Sequence, residues 1–167
     1  MLYSTLYHSP IGELTLAANG EALSGLWLAG QKYFGGSYRE TFVRQDALPI
    51  FKQTALWLDD YFAGKRPPIS ALALSPAGSP FRQRVWHLLC QIPHGQVTTY
   101  GQLARQLAKQ MGRTTFSAQA VGGAVGHNPI SIIIPCHRVV GTNGSLTGYA
   151  GGLNAKAWLL AHEGVVL

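Results

Sequence analysis

Residues 117–141 read "SAQAVGGAVGHNPISIIIPCHRVVG". Ser117 is a good N-cap residue, and the stretch after it predicts a short helix over 118–126. Apart from Gln119, that helix is built only from Ala, Val and Gly, and its three glycines make it poor by propensity. Such smoothness suits close approach of the backbone to something, either another helix or a DNA groove. Asn128 precedes Pro129 and is pushed out of the helical region, so a sharp bend belongs there. Ser131 to Ile134 is β-prone and predicts a buried strand, which Pro135 ends. Cys136 and His137 then stand just past a rigid element.

Working outward, residues 98–112, "TTYGQLARQLAKQMG", predict a helix opening near Thr98 or Thr99 and closing at Gly112. With the helix after Ser117 it forms a candidate helix-turn-helix pair, a spacing many helix pairs share. Upstream, Ser79-Pro80 caps "FRQRVWHLLCQI", with Phe81, Val85, Leu88, Leu89 and Ile92 as its buried stripe. Cys90 falls in this helix and reads as a small hydrophobe. Downstream, "GTNGSLTGYAGG" holds an Asn143-Gly144 turn. "LNAKAWLLAHEG" predicts a terminal helix with Leu153, Ala157 and Leu160 inward and Gly164 as its stop.

The first third has a different character. Residues 2–7 look extended and "SPIG" breaks them. "ELTLAANG" alternates, placing Leu14, Leu16 and Ala18 on one face, and Asn19-Gly20 signals a hairpin into "LSGLWLA". Pro49 opens a helix with Phe51, Ala55, Leu58 and Phe62 at helical spacing, closed by Gly64. "KRPPISALALSPAG" is a connector with room for one short strand.

The totals fit this outline. The chain has 167 residues, 47% hydrophobic and 12% charged, enough apolar surface for a packed core. The formal charge is +6 and the pI about 9.6, which favours polyanions, although scattered charges also suit an ordinary basic protein. The two cysteines, Cys90 and Cys136, form no disulfide framework and no zinc-finger spacing, which points to a reduced, cytoplasmic setting. No secretory signal or membrane-spanning run is visible.

Cys136 admits two readings: a buried structural thiol, or a nucleophile. A cysteine reacts as thiolate, and His137 and Arg138 are basic neighbours. His137 can serve Cys136 only if the backbone bends, because adjacent strand residues face opposite ways. A base also needs an orienting group. Glu163 is the one acid after Cys136, so a Cys136–His137–Glu163 relay requires the terminal helix to pack back on this loop. Such a set fits an acyl-transfer hydrolase, and a plain DNA-binding module with an incidental cysteine is a further alternative.

"PCHRV" at 135–139, preceded by "NP" and followed by "GYAGG" and "LLAHEG", closely resembles the methylated-DNA–protein-cysteine methyltransferases, or O6-alkylguanine-DNA alkyltransferases. The match runs from about Phe81 to Gly164 and is weaker before it, where "SPIGELTL" is similar to the family's opening. The resemblance implies a complete, short member of α/β (α+β) class. A small ribonuclease-H-like mixed domain would occupy residues 1–75, and an α-rich, winged-helix-like DNA-binding domain residues 76–167. It implies irreversible, single-turnover transfer of the alkyl group of O6-alkylguanine, and of O4-alkylthymine, to Cys136. The target base would be flipped out of double-stranded DNA. His137 would act on Cys136 through a water and Glu163 would orient it. Asn128 would be a hinge, and Tyr100 would protonate or hydrogen-bond the departing guanine. Carbonyls at Cys136 and Val139 would read the exocyclic amine. The amide of Ala150, beside Tyr149, would meet the 6-oxygen. Ser117, Ala118, Gln119 and Gly122 would face DNA, with Arg113, Arg105 and Lys109 as candidate phosphate contacts. No cofactor, no metal and a monomer are expected.

Two departures from the family generate tests. Relatives commonly carry an arginine where this chain has Gln119, so Gln119→Arg is expected to tighten binding to methylated duplex; unchanged affinity counts against Gln119 occupying the stack. Some relatives hold zinc through N-terminal cysteines, and no cysteine precedes Cys90 here. Purified protein is therefore expected to carry no stoichiometric zinc by elemental analysis.

Overall fold

The structure, a computed structural model, describes residues 1–38 and 41–167. β1 (Tyr3–Ser9) and β2 (Gly12–Ala18) pair antiparallel with Ser9 opposite Gly12. Leu14, Leu16 and Ala18 are buried, as the period of two requires. Asn19 Oδ1 accepts the amides of Glu21 and Ala22, so the Asn-Gly signal becomes an Asx-type loop into β3 (Leu23–Leu28). β4 (Val43–Arg44) adds to β1 in parallel, giving the order β3-β2-β1-β4. In β3, Trp27 folds its indole back over Gly25, where a Cβ would stand 2.1 Å from the ring. Only glycine leaves that space.

α1 (Pro49–Phe62) packs on β1, β2 and β3. Phe51 and Leu58 face the core as expected, but the buried stripe also takes in Thr54, Trp57 and Tyr61, while Ala55 and Phe62 lie half-buried on its flank. The aromatic rings have neighbours on that side to cover them, which spacing alone does not reveal. The connector's short strand is reduced to a single bridge from Leu23 to Leu74.

Every residue of β3 is buried because its outer edge is covered twice. Leu23 exchanges backbone hydrogen bonds with Ala73 and Ser75 (2.8 and 2.7 Å), and Leu26 with Pro129 and Ser131 (2.9 and 3.0 Å). An open sheet edge is thereby closed, and the segment leading to Cys136 is stitched to the N-terminal sheet.

The C-terminal part is mainly helical. Ser79 accepts from Arg82 N to cap α2 (Pro80–Leu89), leaving Cys90 as the residue that ends it. β5 (Thr98–Thr99) leads into α3 (Tyr100–Gln110), where Thr99 and Gln102 form a reciprocal capping box. Ser117 accepts from Ala120 N to cap α4 (Ala118–Gly126). The glycines of α4 cost about 1 kcal/mol each against alanine. Tertiary contacts offset this: Val121, Ala124 and Val125 are buried, and Trp86 Nε1 donates to Ala124 O at 2.8 Å. β6 (Val139–Val140) pairs with β5 in parallel, and α5 (Leu153–His162) closes the chain.

Two expectations are corrected. Ser131 to Ile134 is buried but is a turn, not a strand. Ile132 has φ +71°, and Asn128 holds the bend. The Asn128 amide nitrogen donates to the carbonyls of Ile134 (2.8 Å) and Ile130 (3.3 Å), and its oxygen accepts Ile130 N (3.0 Å). A β-prone sequence is thus overridden by one side chain that satisfies the backbone groups a strand would have paired. In α5, Leu153 and Ala157 are exposed, and Lys156, Leu159 and Leu160 face inward. The helix is turned by Lys156, whose Nζ donates to the carbonyls of Val139 and Thr147.

Asn128→Ala leaves the buried Ile130 N without a partner and takes one donor each from the carbonyls of Ile130 and Ile134, which still accept Ile134 N and Cys136 N. It is expected to destabilise the fold by about 2–4 kcal/mol in urea denaturation; a loss below about 0.5 kcal/mol would show that the bend holds without it.

Candidate active site

Past Pro135, Cys136–Arg138 form one turn of 3₁₀ helix. At about three residues per turn, successive side chains diverge by a third of a circle. Cys136 and His137 therefore avoid the opposite-face arrangement of a strand. Cys136 lines a cavity of about 560 Å³, within the range of small-ligand sites. His137 is fully buried behind it.

His137 Nε2 meets Glu163 Oε2 at 2.6 Å, which brings together the pair expected from sequence. Glu163 ends α5, so the terminal helix does pack back on the loop. Arg138 is buried too. Its Nε donates to Glu163 Oε1 at 2.7 Å, its Nη2 to Oε2 at 3.2 Å and its Nη1 to Ile92 O at 2.7 Å. Tyr61 Oη donates to Oε2 at 2.7 Å, and Gly95 N to Oε1 at 3.3 Å. Burial pushes the Glu163 carboxyl upward, but hydrogen bonds from His137 and Arg138 outweigh it and hold the group well below the usual carboxylate range. An ionised Glu163 fixes the proton of neutral His137 on Nε2. Nδ1, which has no hydrogen-bond partner among the described residues, is then the basic lone pair.

Burial lowers the His137 pKa, against the opposing pull of Glu163. Burial also pushes the Cys136 thiol up, with the Asn128 amide and the Lys156 charge pulling the other way. The resting pair is thus neutral thiol and neutral imidazole. Burial similarly raises the hydroxyls of Tyr100 and Tyr149. Both line the cavity, with Ala150 beside Tyr149. Lys156 is lowered to about 8 by burial.

The remaining sequence candidates divide. Ala118, Gln119 and Gly122 line the cavity, with Gly122 against the Tyr100 ring. Ser117 is the helix cap, and Arg113 is exposed with its guanidinium over Phe116; neither lines the cavity. Arg105 and Lys109 are exposed on α3. Val139 is off the cavity wall, its carbonyl occupied by Lys156. Sequence reasoning missed Lys32 and Tyr33 on the cavity wall, where Tyr33 stacks on His127 at 3.9 Å. It also missed the roles of Arg138, Lys156 and Tyr61. Arg138 had a signal, since it is basic and Glu163 is the one acid downstream of it; Tyr61 lies 102 residues from Glu163 and had none. Among the described residues, no three His, Cys, Asp or Glu side chains converge to hold a metal ion, and no helix is long and apolar enough to cross a membrane.

Two family models match the chain. Residues 2–76 match the 6-O-methylguanine DNA methyltransferase, ribonuclease-like domain, and residues 80–165 the 6-O-methylguanine DNA methyltransferase, DNA binding domain. A methylated-DNA–protein-cysteine methyltransferase of Haemophilus influenzae is 40% identical over 162 residues, covering 97% of this chain and 86% of the relative. One from Mycobacterium tuberculosis is 41% identical over 163 residues, covering 98% and 93%. The crystal structure of Mycobacterium tuberculosis OGT in complex with DNA superposes with a TM-score of 0.82 at 40% identity, covering 96% of this chain and 92% of that one. On both its sequence and its fold, the chain belongs to the 6-O-methylguanine DNA methyltransferase family.

Proposed function

We propose that this protein repairs DNA by direct reversal, moving the alkyl group of O6-alkylguanine, and of O4-alkylthymine, irreversibly onto Cys136. The observation that carries the proposal is a buried thiol on a cavity wall, backed by an imidazole whose far nitrogen is held by an ionised carboxylate. Relatives named for this activity, and one solved with DNA, support it.

In the proposed reaction, the flipped base enters the cavity between Tyr100 and Tyr149. His137 Nδ1 takes the Cys136 proton through a water, and Glu163 stabilises the imidazolium. The thiolate attacks the alkyl carbon; the S–C bond forms as the C–O bond breaks. Guanine leaves with the electron pair on its 6-oxygen and takes a proton from Tyr100, which solvent restores as His137 gives up its own. The amide of Ala150 meets that oxygen, and the carbonyl of Cys136 reads the exocyclic amine. The resulting thioether resists water, so each molecule acts once. The raised thiol pKa keeps Cys136 neutral at rest, so it reacts only after His137 has taken its proton.

The proposed division of labour falls at residue 75/76, with residues 76–167 meeting DNA. α3 and α4 act as a helix-turn-helix, α4 in the minor groove. Ser117, Ala118, Gln119 and Gly122 approach the strand, Gln119 entering the stack, and Arg113 contacts phosphate. Asn128 couples α4 to the reactive loop. The working form is a cytoplasmic monomer.

Incubation with duplex containing O6-methylguanine is expected to add one methyl to the intact mass, on Cys136, and Cys136→Ala should abolish the gain. Glu163→Gln should slow transfer roughly a hundredfold while leaving DNA binding intact. Tight binding without any mass gain in the unaltered protein would overturn the proposal.

A further inference from the structure

The reaction as proposed makes no use of Tyr61, yet its hydroxyl reaches the relay. Tyr61 lies in α1 and is 1% exposed. It donates at 2.7 Å to Glu163 Oε2, the same oxygen that meets His137 Nε2 at 2.6 Å. The ring is held in place. Trp57 stacks on it with centroids 5.8 Å apart, and the Tyr61 backbone carbonyl lies 2.7 Å from His162 Nε2. Burial and the neighbouring Glu163 raise the phenol far above its ordinary range, so it is a donor at every pH the protein meets.

We propose that Tyr61 is a positioning residue for alkyl transfer: its hydroxyl fixes the Glu163 carboxylate and draws charge from Oε2, and thereby sets the basicity of His137. The inference rests on the reading of Cys136 as alkyl acceptor. Its physics is simple. Oε2 accepts from Tyr61, His137 and Arg138 Nη2. Each donor reduces the negative charge left to stabilise an imidazolium. Without the hydroxyl, more of that charge falls on His137, its protonated form is favoured, and the neutral base exists only at higher pH. The N-terminal part of the chain would thus tune a reaction whose other groups all come from the C-terminal part.

The charged and titratable groups around the pair are few. Tyr61 is faced by Glu163, Arg138, Tyr149, His94 and His162. His137 is faced by Glu163, Arg138 and Lys156. The two histidines beside Tyr61 are present in both unaltered protein and Tyr61→Phe.

The test compares full-length protein with Tyr61→Phe in two assays across roughly pH 5.5 to 9. The first is the single-turnover rate of methyl gain from O6-methylguanine duplex. The second is iodoacetamide labelling of Cys136 without DNA, resolved from Cys90 by peptide mass. In Tyr61→Phe the acid limb should move up by about half a unit or more in both assays. The methyl-transfer rate on that limb should fall roughly threefold or more, with duplex affinity unchanged. Site-specific replacement of Tyr61 by 3-fluorotyrosine keeps the ring and strengthens the donor, and should move the limb downward; it decides the matter even if Tyr61→Phe folds poorly. Superimposable profiles, whatever the change in melting temperature, would make Tyr61 a packing residue and overturn the inference. If the unaltered protein labels with iodoacetamide but never gains methyl, the functional reading fails, and the labelling profiles still judge Tyr61.

Discussion

One buried carboxylate organises this molecule. Glu163 receives His137, Arg138, Tyr61 and the amide of Gly95, and so joins α5, the reactive 3₁₀ turn, α1 and the loop before β5 at one point. Taking a carboxylate and a guanidinium out of water costs several kcal/mol for each ion, and mutual attraction offsets that only with full hydrogen bonding. Here both carboxylate oxygens and all three guanidinium nitrogens are used. The cluster is therefore weak as a source of net stability but strict as a specification. Loss of Arg138 or of Glu163 leaves the other a buried, uncompensated charge, so few alternative packings of α5 against the loop are tolerable.

The second constraint is the route from α4 to Cys136. α4 is too rich in glycine to stand alone, and it leans on Trp86 and on its own buried valines. The bend that follows depends on Asn128, and the loop beyond is stitched to the open edge of β3. A surface smooth enough to lie against a groove is thus placed by neighbours rather than by its own propensity. Asn128, just past α4, is hydrogen-bonded to the carbonyl of Ile134, two residues before the thiol.

Much of this was legible in the sequence, for identifiable reasons. Hairpins, caps and helix ends are local: Asn19-Gly20, Ser79-Pro80, Thr99, Ser117 and Gly112 each act within a few residues, and each element they mark is present. The His137–Glu163 pair was accessible because Glu163 is the one acid downstream of Cys136. What failed was non-local. Ser131 to Ile134 has strand propensity, yet a side chain three residues upstream of Ser131 bends it. α5 exposes Leu153 and Ala157 because a buried lysine and Glu163 set its rotation, a choice that hydrophobic spacing ranks the other way. Tyr61 read as part of an amphipathic helix, and nothing near it hinted at a partner beyond the end of α5.

In the proposed relay, an ionised Glu163 holds neutral His137 in the Nε2–H form, leaving Nδ1 free to take the Cys136 proton. The direct measurement is ¹⁵N NMR of the His137 ring in the resting protein near neutral pH. The expected result is a neutral imidazole with its proton on Nε2, strongly deshielded by the carboxylate, and a deprotonated Nδ1. A proton on Nδ1, or a resting imidazolium paired with a Cys136 thiolate, would contradict it.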